Sequence, residues 1–93
     1  MQLKTFRPNK KVLGKKLDNE WVFLNLENGV YYGLNETGSL IWEALSAKED
    51  LEAAIERLQE IFQVERATIE KDLKRFLKDI KKEGLAEIES LPA

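Results

Sequence analysis

The chain of 93 residues is 43% hydrophobic and 34% charged with a formal net charge of −2, which fits one small globular domain with a well-solvated surface. It contains neither cysteine nor histidine; this excludes disulfides, a thiol nucleophile, cysteine-based metal sites and the usual acid–base catalyst at neutral pH. The remaining carboxylates, lysines, serines and tyrosines fall in no catalytic spacing, so neither an enzyme nor a bound cofactor or metal is expected.

Charge is unevenly spread along the chain. Residues 1–16 hold six basic side chains (Lys4, Arg7, Lys10, Lys11, Lys15, Lys16) and no acidic one, leaving a balance of −8 over residues 17–93. Residues 1–11 read as a basic N-terminal arm. The acidic remainder suits a phosphate backbone poorly, which argues against nucleic acid as a partner. No apolar run reaches signal-peptide or membrane-spanning length, so a cytoplasmic protein without a membrane partner is expected.

Three strands come first. Lys11 to Leu17 reads as the first and Asp18-Asn19-Glu20 as a turn. Trp21 to Leu26 alternates Val22, Leu24 and Leu26 on one face with Trp21, Phe23 and Asn25 on the other. Glu27-Asn28-Gly29 closes a tight hairpin, because Asn-Gly tolerates the positive φ angles of a type I′ turn. Val30, Tyr31, Tyr32, Gly33 and Leu34 form the third strand. Sequential strands with short turns pair as a meander, which leaves the first and third at the edges. The first is guarded by Lys11, Lys15 and Lys16, whereas the third carries no charge. An unguarded edge invites another backbone.

Three helices follow. Asn35 caps the first, which buries Leu40, Ile41, Ala44 and Leu45 with Trp42 beside them. After Lys48-Glu49-Asp50, with Asp50 as a cap, Leu51, Ala54, Ile55, Leu58, Ile61 and Phe62 give the second helix one apolar face. Gln63-Val64-Glu65 is a break. The third helix carries Ile69, Leu73, Phe76, Leu77 and Ile80 and stops at Gly84, a residue suited to the left-handed position after a helix end. Leu85 and Ile88 return to the core, and residues 89–93 read as a frayed tail. The expected fold is α+β, a three-stranded antiparallel sheet followed by three helices in a winged helix-turn-helix-like domain over residues 12–88.

Two functions fit such a domain, and a third possibility is a small structural subunit whose open edge pairs with its own copy. Lys71, Arg75, Lys78 and Lys82 fall opposite the apolar side of the third helix, as a DNA-recognition helix would place them. Against that reading, both hairpin turns are acidic at Glu20 and Glu27, and the outward face lacks the residue mix that reads base edges. The second reading starts from Thr68, Asp72, Phe76 and Asp79, which lie beside the apolar stripe. If that helix lies near the third strand, the two would wall a groove in which an extended peptide adds as a fourth strand.

The run Leu24 to Gly38, with Tyr31-Tyr32-Gly33-Leu34-Asn35-Glu36-Thr37-Gly38 at its centre and Ile41-Trp42 following, resembles the PqqD-like family. Ile69 to Phe76 and the closing Glu83-Gly84-Leu85 share the resemblance, which spans roughly residues 12–88. It implies a recognition element that binds the leader segment of a ribosomally made precursor peptide and presents it to a modifying enzyme (a protease, cyclase or radical enzyme). The implied peptide contacts are Val30, Tyr31, Tyr32 and Gly33 on the strand and Ile69, Asp72, Leu73 and Phe76 on the helix. A free-standing chain of this kind is similar to the leader-binding half of a split lasso-peptide B protein, or to a PqqD-type chaperone.

Overall fold

The structure is a computed structural model that describes residues 2–47 and 51–91, with residues 2–5, 90 and 91 described by their backbone alone. In chain order the elements are β1 (Gln2–Pro8), β2 (Val12–Leu17), β3 (Glu20–Asn25), β4 (Tyr31–Gly33), α1 (Glu36–Ser46), α2 (Leu51–Phe62), α3 (Arg66–Lys82) and β5 (Ala86–Leu91). Strands β2, β3 and β4 form the expected antiparallel meander, with β2 and β4 at its edges. The α+β class and the three-helix complement are as the sequence predicts.

One element pair was not expected. β1 and β5 form a second, two-stranded antiparallel sheet in which Phe6 lies opposite Ile88 and Pro8 opposite Ala86. The supposed N-terminal arm is therefore a strand through Pro8, and the segment 89–91 of the supposed frayed tail is ordered against it. Asn9 seals the junction: its backbone N–H donates to the Leu85 carbonyl at 3.0 Å and its side-chain amide to the Gly84 carbonyl at 2.9 Å. Strands from opposite chain ends share no turn, so the strongest local sign of a strand pair is missing from the sequence.

The turns also differ in detail. Asp18 adopts φ 57° in the two-residue loop between Leu17 and Glu20. In the second hairpin only Gly29, at φ 73°, is left-handed, and Asn28 is not, so no type I′ turn forms. Asn25 and Asn28 instead turn their side-chain oxygens to the N–H groups of Glu27 and Val30, each at 2.9 Å. These local bonds stabilise a longer loop that closes where the Asn25 N–H meets the Val30 carbonyl.

Helix starts and stops follow their chemistry. The Asn35 side chain accepts from the Gly38 N–H at 2.8 Å, the capping bond expected of it. The Asp50 cap and the Lys48-Glu49-Asp50 connection lie outside the described residues. Gln63 at φ 54° breaks the chain between α2 and α3, and Gly84 at φ 70° ends α3. Arg66 ties the two helices together with a forked pair of bonds to Glu52 at 2.5 and 2.6 Å, and also reaches Glu70 at 3.1 Å.

The core has two lobes. Ile41, Ala44 and Leu45 of α1, Ala54, Ile55 and Leu58 of α2, and Ile69, Leu73 and Leu77 of α3 make the helical lobe. Ile61, expected on that face of α2, is exposed instead. In the second lobe Phe23 lies between Trp21, stacked at 5.9 Å, and Trp42, tilted at 4.7 Å, with Leu34, Ile80 and Leu85 beneath. A Cβ at Gly14 would meet the Phe23 ring at 3.0 Å, so this position on β2 takes glycine because the aromatic ring passes against its backbone. Phe6 and Ile88 pack against both lobes.

Candidate functional site

The free edge of β4 is the first component of the site. The Leu34 N–H donates to the Trp21 carbonyl at 2.8 Å, and the Asn25 N–H to the Val30 carbonyl at 2.9 Å. With Phe23 opposite Tyr32 between those two bonds, antiparallel alternation turns the backbone groups of Tyr32 toward β3. The N–H and C=O of Tyr31 and Gly33 consequently face outward, and no strand pairs with them among the described residues. The corresponding outward groups on β2 belong to Val12, Gly14 and Lys16, next to lysines.

Side-chain direction then separates the two tyrosines, as strand geometry requires. Tyr32 turns inward onto the buried cluster of Phe23, Leu34 and Ile80, which Phe76 also packs against, and is half-buried. Burial pushes its phenol above the ordinary 10.0, and the carboxylates of Asp79 and Glu83 on the α3 side add to the shift. These neighbours place α3 alongside the inner face of β4. Tyr31 points away from the core and is strongly exposed.

The second component is a cavity of about 540 Å³ beside α3. Ile69, Asp72, Leu73 and Phe76, the four helix residues singled out from the sequence, all line it, together with Thr68, Arg75 and Asp79. Ile69 and Leu73 are buried and form its floor; Asp72, Arg75 and Asp79 stand exposed on its wall. The strand residues Val30, Tyr31, Tyr32 and Gly33 do not line the cavity. They run up to it, since Asn35, two residues past Gly33, does. The C-terminal end of β4 thus leads, through Leu34 and Asn35, to the rim of the cavity. Sequence reasoning missed the contribution of Asn35, Thr37, Gly38 and Ile41 from α1 and of Leu58 and Phe62 from α2. The apolar side chain of Phe62 at the end of α2 was visible, but the third wall it makes depends on how the helices cross.

Chemically the surface offers main-chain hydrogen bonds, an apolar floor and a wall carrying both charge signs. No group of three or more metal-binding side chains occurs among the described residues, and no described helix is long and apolar enough to cross a membrane. A second cavity, about 390 Å³, lies on the other side of the aromatic lobe between Gly14, Trp21, Trp42 and Glu43.

The model of the family described as coenzyme PQQ synthesis protein D (PqqD) matches residues 20–86. Two solved structures resemble the chain almost end to end. The first, TbiB1 in complex with the TbiA(beta) leader peptide, has a TM-score of 0.80 and 30% identity, with 94% of this chain and 99% of that one covered. The second, a lasso peptide synthetase B1 complexed with the leader peptide, has a TM-score of 0.79 and 28% identity, with 94% and 98% covered. No curated protein matches the chain in sequence. With the family model covering more than half of its length, and a structure of 30% identity covered throughout, the chain belongs to the PqqD family.

Proposed function

We propose that this chain is a non-catalytic adaptor that binds the leader segment of a ribosomal precursor peptide and presents it to a modifying enzyme. The peptide adds as a fourth strand to the outward groups of Tyr31 and Gly33, and its inward side chains enter the cavity against Ile69, Asp72, Leu73 and Phe76. The observation that carries this reading is the unpaired edge of β4 beside a preformed apolar cavity on α3. The similarity to two leader-bound B1 proteins over their whole length supports a lasso-type precursor. The DNA-binding alternative has less behind it, because the outward face of α3 offers lysines for phosphates but no base-reading set.

Titration calorimetry with the leader segment of a candidate lasso-type precursor tests the reading. One-to-one binding is expected, weakened about fivefold or more by Phe76→Leu, which trims an aromatic surface in the cavity while keeping the site apolar. Far-ultraviolet circular dichroism should show the variant folded. Absence of leader binding, or steeply salt-dependent duplex binding lost on neutralising Lys71, Arg75 and Lys78, would overturn it.

A further inference from the structure

Leader binding at β4 uses neither the basic stretch at the start of the chain nor the second cavity, and the fold brings these two together at the opposite border of the sheet. The cavity, about 390 Å³, lies between Val12 and Gly14 of β2, Trp21 and Phe23 of β3, Trp42 of α1, and Leu85. That volume falls within the roughly 300–1,000 Å³ of ligand sites. Its depth is apolar, since Phe23, Trp42 and Leu85 are buried. Its mouth is open, because Pro8, Gly14 and Ala47, which also line it, are exposed. In its wall, the Ser46 Oγ is buried without a hydrogen-bond partner, whereas buried polar atoms ordinarily have one.

Charge selects what enters. Lys10 and Lys11 precede β2, and Lys15 and Lys16 lie near its end. The rise from Val12 to Lys16 is roughly 13 Å at about 3.3 Å per residue, too long for one small anion to meet both pairs. Lys11 is paired with Glu27 at 3.3 Å and Lys16 with Glu43 at 2.7 Å, while Lys10 and Lys15 have no carboxylate partner among the described residues. Inside the cavity the sign reverses. The Glu43 side chain lines it, and α1 ends there at Ser46 with no basic side chain in its last turn to offset the carbonyl end. A carboxylate is thus favoured along the rim and disfavoured within, where a neutral side chain able to donate to the Ser46 Oγ fits best. Stacked nucleic-acid bases fit poorly, because Trp42 is 5% exposed and one face of Trp21 is taken by Phe23.

We propose that this border is a second docking site, for an extended acidic segment of a partner protein that carries a tyrosine or tryptophan among its carboxylates. The aromatic side chain enters the cavity and donates its polar hydrogen to the Ser46 hydroxyl, which a change of rotamer turns inward. The flanking carboxylates meet Lys10 and Lys15. The same lysines deter a bare strand edge, so the segment is held through its side chains. The site lies across the sheet from β4, and this chain can therefore hold such a segment and a leader together.

The probe is a synthetic peptide with blocked ends, Asp-Glu-Tyr-Glu-Asp, titrated into the full isotope-labelled chain and followed by nuclear magnetic resonance at the indole N–H signals of Trp21 and Trp42. Both signals should move saturably. Replacing the acids by their amides should weaken binding about fivefold or more, and so should Lys10→Glu combined with Lys15→Glu. Exchanging the tyrosine for alanine should do the same, as should Ala47→Phe, which fills the mouth from an exposed position by about fivefold or more. Leader affinity should stay within about twofold in all these variants, which lie far from β4. Ser46→Ala should weaken the peptide while leaving the urea midpoint unchanged or higher, because it removes an unpartnered hydroxyl. Absence of saturable shifts at the indoles, equal affinity for the amide peptide, or tighter binding of a single-stranded oligonucleotide lost in the lysine double variant would overturn the site. A chain that binds this peptide but no leader would sink the adaptor function and leave the second site standing.

Discussion

The two edges of the three-stranded sheet are built from the same fold and answer opposite demands. On β2 the backbone groups that face outward sit among Lys15, Lys16 and Lys11. A further constraint holds that edge: the Lys16 ammonium reaches Glu43 on α1 at 2.7 Å. On β4 the outward groups of Tyr31 and Gly33 sit among apolar side chains, and a cavity opens beside them. Charge on an edge strand discourages pairing with stray backbones. The contrast teaches that pairing capacity is suppressed on one border of this sheet and left available on the other.

The largest effect should come from removing the platform that both edges share. Phe23 is 2% exposed and wedged between Trp21 and Trp42. Phe23→Ala should cost about 3–5 kcal/mol by loss of burial and the cavity left behind, a large part of the roughly 5–15 kcal/mol that holds a domain of this kind together. Urea unfolding followed by tryptophan fluorescence would read it. A loss under 1 kcal/mol would mean that the sheet is held mainly elsewhere and that the edges are not coupled through this residue.

A sharper test discriminates the edges directly. Tyr31 donates nothing to β3, so Tyr31→Pro removes one outward N–H and spares the ladder, as proline on an edge strand can. Leader affinity should fall roughly tenfold, the combined effect of one lost main-chain hydrogen bond of about 1 kcal/mol and a displaced neighbour. Lys16→Pro is the mirror change on β2 and should leave leader affinity unchanged. N-methylation along the leader should weaken binding at every second residue, in step with strand alternation. Equal losses from both prolines, measured by calorimetry, would abolish the distinction between the edges.

That distinction was legible in the sequence, and the reasons are local. Lysines in one strand and tyrosines in the other need no tertiary knowledge to read, nor do the Asn35 cap and the apolar stripe of α3. On α3 the helical wheel put Thr68, Asp72, Phe76 and Asp79 on one stripe and the family resemblance added Ile69 and Leu73; all six line one cavity because they share a helical face. What escaped was set by contacts distant in sequence. The β1–β5 sheet joins the two ends of the chain with no turn between them. The α1 and α2 walls of the cavity depend on helix crossing. The second hairpin departed from its expected turn because asparagine side chains competed for the loop's N–H groups.

The smallest effect concerns how the guarded edge is fastened. Glu43 Oε1 accepts from Lys16 Nζ at 2.7 Å and from the Trp21 indole N–H at 3.1 Å. These bonds, Lys16 first and Trp21 second, hold the carboxyl below its ordinary value of 4.5 against the opposing effect of burial. A group whose folded value is depressed binds fewer protons folded than unfolded, so its contribution is fully present above 4.5 and is lost as pH falls through the folded value. The Glu43 side chain is 36% exposed, so solvent and salt screen the pair and the effect is small. Glu43→Gln should therefore flatten the acid limb of a urea-midpoint-against-pH curve below about pH 4.5 and shift the Trp21 emission, with a constant offset at neutral pH. Leader affinity should not move in this variant, because its contacts lie on α1 and the β2 side. Parallel acid limbs would show that Lys16 guards its edge without being anchored by Glu43, and a fall in leader affinity would show that the two edges are coupled through α1.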